Sequence, residues 1–150
     1  MPDTAPQFSF APACAEDFES LHELRLAAMR PSLEAVGRYD PVRSRERFRA
    51  SFSPELTQRI VVDDMTIGFF ALRALEDFWW LDHFYIHPEW QGRGIGGRVL
   101  DVLLAKADEA GKPVELNALR DSPSNRFYRR HGFVQTGESE WDIHYRRAAG

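Results

Sequence analysis

The stretch that decides the fold runs Leu81-Asp-His-Phe-Tyr-Ile-His-Pro-Glu-Trp-Gln-Gly-Arg-Gly-Ile-Gly-Gly97. Its first half has the aromatic and aliphatic make-up of a strand, and its second half is a glycine-rich turn. Gly92, Gly94 and Gly96 fall at every second position. A phosphate approaches main-chain N–H groups closely only where no Cβ intervenes. Beyond the turn, Ile95, Val99, Val102, Leu103, Ala107 and Ala110 recur at three- and four-residue intervals, the pattern of an amphipathic helix. Such a helix points its unpaired N–H groups and the positive end of its dipole at an anion held in the turn. Arg93 and Arg98 are placed to add charge-assisted contacts. The stretch therefore reads as a cradle for a pyrophosphate. The helix is predicted over Gly92 to Ala110, ended by Gly111 as a left-handed cap and by Pro113.

Downstream, Val114-Glu-Leu-Asn-Ala-Leu119 is a short apolar run that reads as a strand. Asp121-Ser-Pro-Ser-Asn-Arg-Phe-Tyr-Arg-Arg-His-Gly-Phe133 reads as a helix with Ser122 as N-cap, Pro123 in the first helical position and Gly132 at its end. Upstream, Phe8 to Pro12 is a candidate edge strand. Glu16 to Met29 forms a helix with Phe18, Leu21, Leu24 and Ala28 on one face, and Pro31 interrupts it. Asp40-Pro41 caps a second helix that reaches about Ser51. Strands follow over Thr57 to Val62, Thr66 to Leu75 and Phe78 to Ile86, joined by turns at Asp63-Asp64 and Glu76-Asp77. Two last strands span Phe133 to Gly137 and Trp141 to Arg146, the second with Trp141, Ile143 and Tyr145 on one side by alternation.

The order of strand, Gln91-Gly-Arg-Gly-Ile-Gly96 turn, long helix and strand, then Asn125, Phe127-Tyr128 and His131-Gly-Phe133, resembles the GNAT superfamily of N-acetyltransferases. That family's pyrophosphate loop follows Gln/Arg-x-x-Gly-x-Gly/Ala, a pattern that Gln91, Gly94 and Gly96 fill. The resemblance covers about residues 57 to 140, and the N-terminal third agrees in helical character only. It implies an α/β fold, the acyl-CoA N-acyltransferase (GNAT) fold, with a mixed, mostly antiparallel sheet of six to seven strands flanked by about four helices. The chain is expected to form a single domain over 1–150.

Composition agrees. With 150 residues, 43% hydrophobic and 13% aromatic, the chain buries one sizeable core and has no length for a second. A net charge of −4 argues against a nucleic-acid binder, which would present a basic surface. No apolar run approaches the ~20 residues of a membrane span. Met1-Pro-Asp-Thr-Ala-Pro6 lacks the regions of a signal peptide, so a cytoplasmic location is expected. Cys14, the one cysteine, excludes an intrachain disulfide and stands at no zinc spacing from the histidines, so no metal is expected. Cys14 itself reads as a buried or partly buried bystander.

The resemblance makes acetyl-CoA the cofactor and a primary amine of a small molecule, amino acid or peptide the acceptor. An alkyl amine with a pKa of about 10 is only ~0.1% neutral at pH 7, so a group must take its proton, and the leaving thiolate needs one. A tyrosine hydroxyl serves the second need. Tyr128, three residues after Asn125 and on the same helix face, is the candidate acid. Asp82 and His83 occupy the strand positions from which acids or histidines act as base in the family. Successive strand residues face opposite ways, so only one of them faces the acceptor. His83, with an ordinary pKa of about 6.5, suits neutral pH, while Asp82 would orient the amine or pass its proton through water.

The resemblance further implies that the backbone of Phe84, Tyr85 and Ile86 runs along the pantetheine arm where the sheet splays. Gln91, Gly92, Arg93, Gly94, Ile95 and Gly96 would hold the pyrophosphate. Asn117, Asn125 and Phe127 would add cofactor contacts. Acceptor recognition falls to Arg25, Arg30, Glu34 and Asp40: the carboxylates would hold a cationic amine, the arginines a carboxylate. A homodimer is an expectation from the family's habits. A non-catalytic acyl-CoA-binding domain of the same fold is the alternative reading. A dinucleotide-binding enzyme fits poorly, because the preceding strands form a meander and no ribose-binding acid ends a following parallel strand.

Overall fold

A computed structural model describes residues 7–150. The N-terminal reading over Met1 to Pro6 lies outside the described residues. The elements follow as β1 (Ser9–Pro12), α1 (Phe18–Ala35), α2 (Pro41–Ser51), β2 (Thr57–Val62), β3 (Met65–Ala74), β4 (Trp79–Ile86), α3 (Ile95–Glu109), β5 (Val114–Leu119), α4 (Ser124–Arg130), β6 (Val134–Glu138) and β7 (Asp142–Arg147). The seven strands form one sheet in the order β1-β2-β3-β4-β5-β7-β6. Pairing is antiparallel for β1–β2, β2–β3, β5–β7 and β6–β7, and parallel for β4–β5. The sheet is thus mixed and mostly antiparallel, as the sequence predicts.

The chain divides into two compact units, one comprising residues up to 71 with 83–96, the other 72–82 with 97–150. In the first, α1 and α2 bury an aromatic cluster. Phe18, Leu21, Leu24, Phe48 and Phe69 form its centre, with Phe52 and Tyr85 packed against it. Phe48, fully buried, lies 5.4 Å from the Phe18 ring and 5.7 Å from Phe69 by ring centroids. In the second, Leu100, Leu103, Leu104 and Ala107 of α3 are buried, as are Val114, Leu116, Ala118, Tyr128, Phe133, Ile143 and Tyr145. On α3 the buried face differs from the predicted one: Leu100 and Leu104 join it, Val102 is half-buried and Ala110, just past the helix end, is exposed.

Several local expectations are corrected. Helix α1 runs through Pro31 to Ala35. A proline removes one hydrogen bond, but here the buried Leu33 and an Arg30–Glu34 pair at 3.4 Å hold the following turn in register. Helix α3 begins at Ile95 rather than Gly92, because Gly92 and Gly94 have φ of 77° and 80°, which no right-handed helix contains. Helix α4 begins at Ser124, one residue later than the Ser122 cap predicts, and Pro123 is its cap residue. Cys14 is exposed rather than buried. Hydrogen bonds to Glu16 and then Asp17 raise its thiol's pKa. Trp141 precedes β7 rather than opening it, while Ile143 and Tyr145 are buried as alternation requires.

Candidate active site

Strand β4 and the loop after it carry the site's backbone. In the second unit, β4 pairs with β5 in parallel at Trp79↔Val114 and Trp80↔Glu115. In the first unit β3 reaches β4 closely: a Cβ placed on Gly68 would stand 2.4 Å from the carbonyl oxygen of Tyr85. Glycine is the one residue that lets the strands meet there.

The loop then turns away from β4. A single 3-10 turn over Pro88–Trp90 is capped by His87, whose Nδ1 accepts from Glu89 N–H. Gln91 Nε2 donates to Ile86 O at 2.8 Å, tying the loop to the strand's end. Gly92 and Gly94 then take the positive φ that glycine alone adopts cheaply. A Cβ on either would meet nothing within 4 Å, so the space beside both is open. Helix α3 follows with no acidic residue in its first turn to oppose an anion. Ile95 is buried and anchors the turn, while Arg93 lies 4.7 Å over the Trp90 ring and stays exposed. An open, glycine-lined concavity ahead of an unopposed helix N-terminus fits a pyrophosphate.

Strand β4 also supplies a polar chain inside the first unit. Arg25 Nη1 donates to Ser44 Oγ at 2.9 Å and Arg25 Nε to Tyr85 Oη at 3.2 Å. The Tyr85 oxygen lies 3.2 Å from His83 Nδ1, and His83 Nε2 lies 3.1 Å from Ser51 Oγ. Arginine only donates, so Tyr85 Oη accepts from it, while the direction of the Tyr85–His83 and His83–Ser51 bonds follows the tautomer of His83. Both ring nitrogens of this buried histidine are engaged. Asp82, on the other face, accepts from Trp80 Nε1 at 3.4 Å and lies 4.0 Å from Arg73.

The residues expected to meet the acceptor have these contacts within the first unit. Arg25 belongs to the chain just described. Arg30 and Glu34 pair with each other, and the Arg30 guanidinium lies 4.6 Å over the Tyr39 ring. Asp40 caps α2 by accepting from Arg43 N–H at 3.1 Å.

In the second unit Tyr128 is buried on α4, with its ring 5.6 Å from Phe133 and 5.3 Å from Phe127. Phe127 is half-buried against His131, at 4.7 Å. Asn125 is buried with its amide bonded on both sides. Its Nδ2 donates to Leu119 O at 2.9 Å and Ser122 O at 3.0 Å, and its Oδ1 accepts from Tyr145 Oη at 2.7 Å. Asn125 thus fixes the β5–α4 turn. Asn117, exposed on β5, bonds to His144 Nδ1. Ser44, Ser51 and Gly68 escaped the sequence reading. Gly68 had a signal, a lone glycine inside an apolar strand. The two serines had none, since their partners are distant in sequence.

The family model described as Acetyltransferase (GNAT) domain matches residues 57–135, more than half of the chain. The chain belongs to this family. GNAT proteins are acetyltransferases that draw on acetyl-CoA. Among solved structures the fold is similar to that of the PaiA N-acetyltransferase from Thermoplasma acidophilum in complex with coenzyme A. That match has a TM-score of 0.78 and 19% identity, over 95% of this chain and 99% of that one. It is similar as well to the ribosomal-protein-S18-alanine N-acetyltransferase from Escherichia coli, with a TM-score of 0.72, 13% identity and coverage of 96% and 95%. An acetyltransferase from Thermus thermophilus matches with a TM-score of 0.74 and 16% identity, with coverage of 96% and 98%. No curated protein matches the chain. Among the described residues no helix is long and apolar enough to cross a membrane.

Proposed function

We propose that this GNAT protein is a single-domain N-acetyltransferase that acetylates a primary amine of a small molecule, amino acid or peptide. The observation that carries this reading is the Gln91–Gly96 loop. Its two positive-φ glycines open onto empty space and its helix start is unopposed. Gln91, Gly92, Arg93, Gly94, Ile95 and Gly96 hold the cofactor's pyrophosphate, and the backbone of Phe84, Tyr85 and Ile86 hydrogen-bonds its pantetheine arm. Acetyl-CoA supplies an acetyl group activated as a thioester. Asp82 takes the acceptor ammonium's proton through water. His83, whose two ring nitrogens bond Tyr85 and Ser51, acts by holding Tyr85 in place. Tyr128 Oη gives its proton to the departing sulfur and recovers one from solvent.

The test is amine-dependent thiol release from acetyl-CoA, followed colorimetrically over a panel of polyamines, amino acids and peptides with free N-termini. Release that requires one of these amines, with a matching mass gain of one acetyl group on it, supports the reading. Saturable cofactor binding with no release on any amine would point to the non-catalytic acyl-CoA-binding alternative.

A further inference from the structure

The second unit has a concave surface that the proposed acetyl transfer does not use. Between α4 and the β6–β7 hairpin lies a pocket of about 570 Å³, into which Arg120, Arg126 and Arg129 face together with a single carboxylate, that of Asp121. No residue of the Gln91–Gly96 loop lines it. On a chain of net charge −4, a hollow with three guanidinium groups against one carboxylate is a local reversal of sign.

The three arginines are not equivalent. Arg120 is committed to the hairpin tip: it lies 3.4 Å from Glu138 and donates to Ser139 O at 2.7 Å. Arg126 and Arg129 remain, three residues apart on α4 and therefore neighbours on its surface. A helix-surface arginine ordinarily ranges through water. Arg129 instead donates from Nη1 to the hydroxyl of Tyr145 at 3.2 Å. Tyr145 is 1% exposed and gives its own hydrogen to Asn125, whose amide is locked to the β5–α4 turn. One of five guanidinium N–H groups thus fixes the side chain, and the others stay available at the pocket wall. That is a pre-set fork for a planar or tetrahedral oxyanion. Asp121 disfavours a ligand bearing several negative charges, and the buried face of Ile143 in the lining offers an apolar contact.

We propose that this pocket binds a small molecule carrying one carboxylate or phosphate group, clamped by Arg126 and Arg129. The assignment goes beyond acetyl transfer and stands whether or not acetyl-CoA binds. It is tested by titrating ¹⁵N-labelled protein separately with benzoate and with inorganic phosphate, at ionic strength held constant with sodium chloride, and following backbone amides by NMR. The expected result is saturable shifts at Ser122 to Arg129 and at Ile143 to Tyr145 with at least one probe, the stronger probe naming the ligand's acid group. Affinity should fall roughly tenfold or more in Arg126→Gln/Arg129→Gln. Arg126→Gln alone disturbs no bond described above and keeps the test decisive if the double variant folds poorly. Shifts at these amides that grow linearly without saturation, or that survive unchanged in Arg126→Gln and in the double variant, would overturn the proposal.

Discussion

At the residue scale, bonding separates the candidates for proton transfer. Both ring nitrogens of His83 are engaged, one by Tyr85 and one by Ser51. The account therefore expects kcat to drop by about 10²-fold in Asp82→Asn, the usual contribution of a general base, and by less in His83→Gln. The reverse order would return the base to His83. For Tyr128→Phe, which removes one oxygen from a buried ring, kcat should drop by about 10²-fold, the usual contribution of a general acid. KM for acetyl-CoA should stay unchanged, and an unchanged kcat would remove Tyr128 from the chemistry. None of this ordering was legible in the sequence. It rests on contacts between residues 60, 19 and 32 positions apart, and periodicity says nothing about those.

At the scale of the elements, the sequence was informative wherever a local rule settles the outcome. Asp40-Pro41 reads as a helix start and is one, with the carboxylate on Arg43 N–H. Gly111 ends α3 with φ of 68°, and Lys112 N–H reaches back to Ala107 O at 2.9 Å. Where a tertiary contact outweighs the local rule, the reading missed. Burial of Leu33 carries α1 past Pro31, and the glycine loop's positive φ at Gly92 and Gly94 delays α3 to Ile95. Two substitutions follow. Asp40→Ala should cost about 1 kcal/mol in urea unfolding through the lost cap and leave the acceptor KM unchanged. A risen KM at full stability would show that Asp40 meets the acceptor. Gly68→Ala should cost about 1–3 kcal/mol, because its Cβ must push the Tyr85 carbonyl away. Calorimetric melting checks this, and an unaltered Tm would show that β3 and β4 separate freely.

At the scale of the whole molecule, two buried or clasped groups set the response to acid. His22 lies in the first unit's aromatic cluster at 6% exposed, with its Nδ1 without a hydrogen-bond partner. Burial, opposed in part by Glu19, lowers its pKa from the ordinary 6.5. Between the lowered and the ordinary value the unfolded chain binds a proton that the fold does not, so stability falls as pH drops below 6.5 and levels off below the folded value. Urea midpoints measured from pH 7.5 to 5 should show this decline, and His22→Phe should flatten it. Further down, hydrogen bonds from Arg147 and then Gly150 N–H hold Asp108 at about 2 instead of 3.8, so that clasp's contribution is lost as pH falls through that interval. Above these details stands the claim that the molecule is an acetyl-CoA enzyme, and calorimetric titration of the wild type and Gly94→Glu with acetyl-CoA addresses it directly. The account predicts saturable one-site binding by the wild type, abolished in a variant that places a side chain and a negative charge in the phosphate cradle; glutamate at a φ of 80° lowers Tm somewhat, and circular dichroism checks that the variant is folded at the titration temperature. Failure of the wild type to bind, or equal binding by the two proteins, would contradict it.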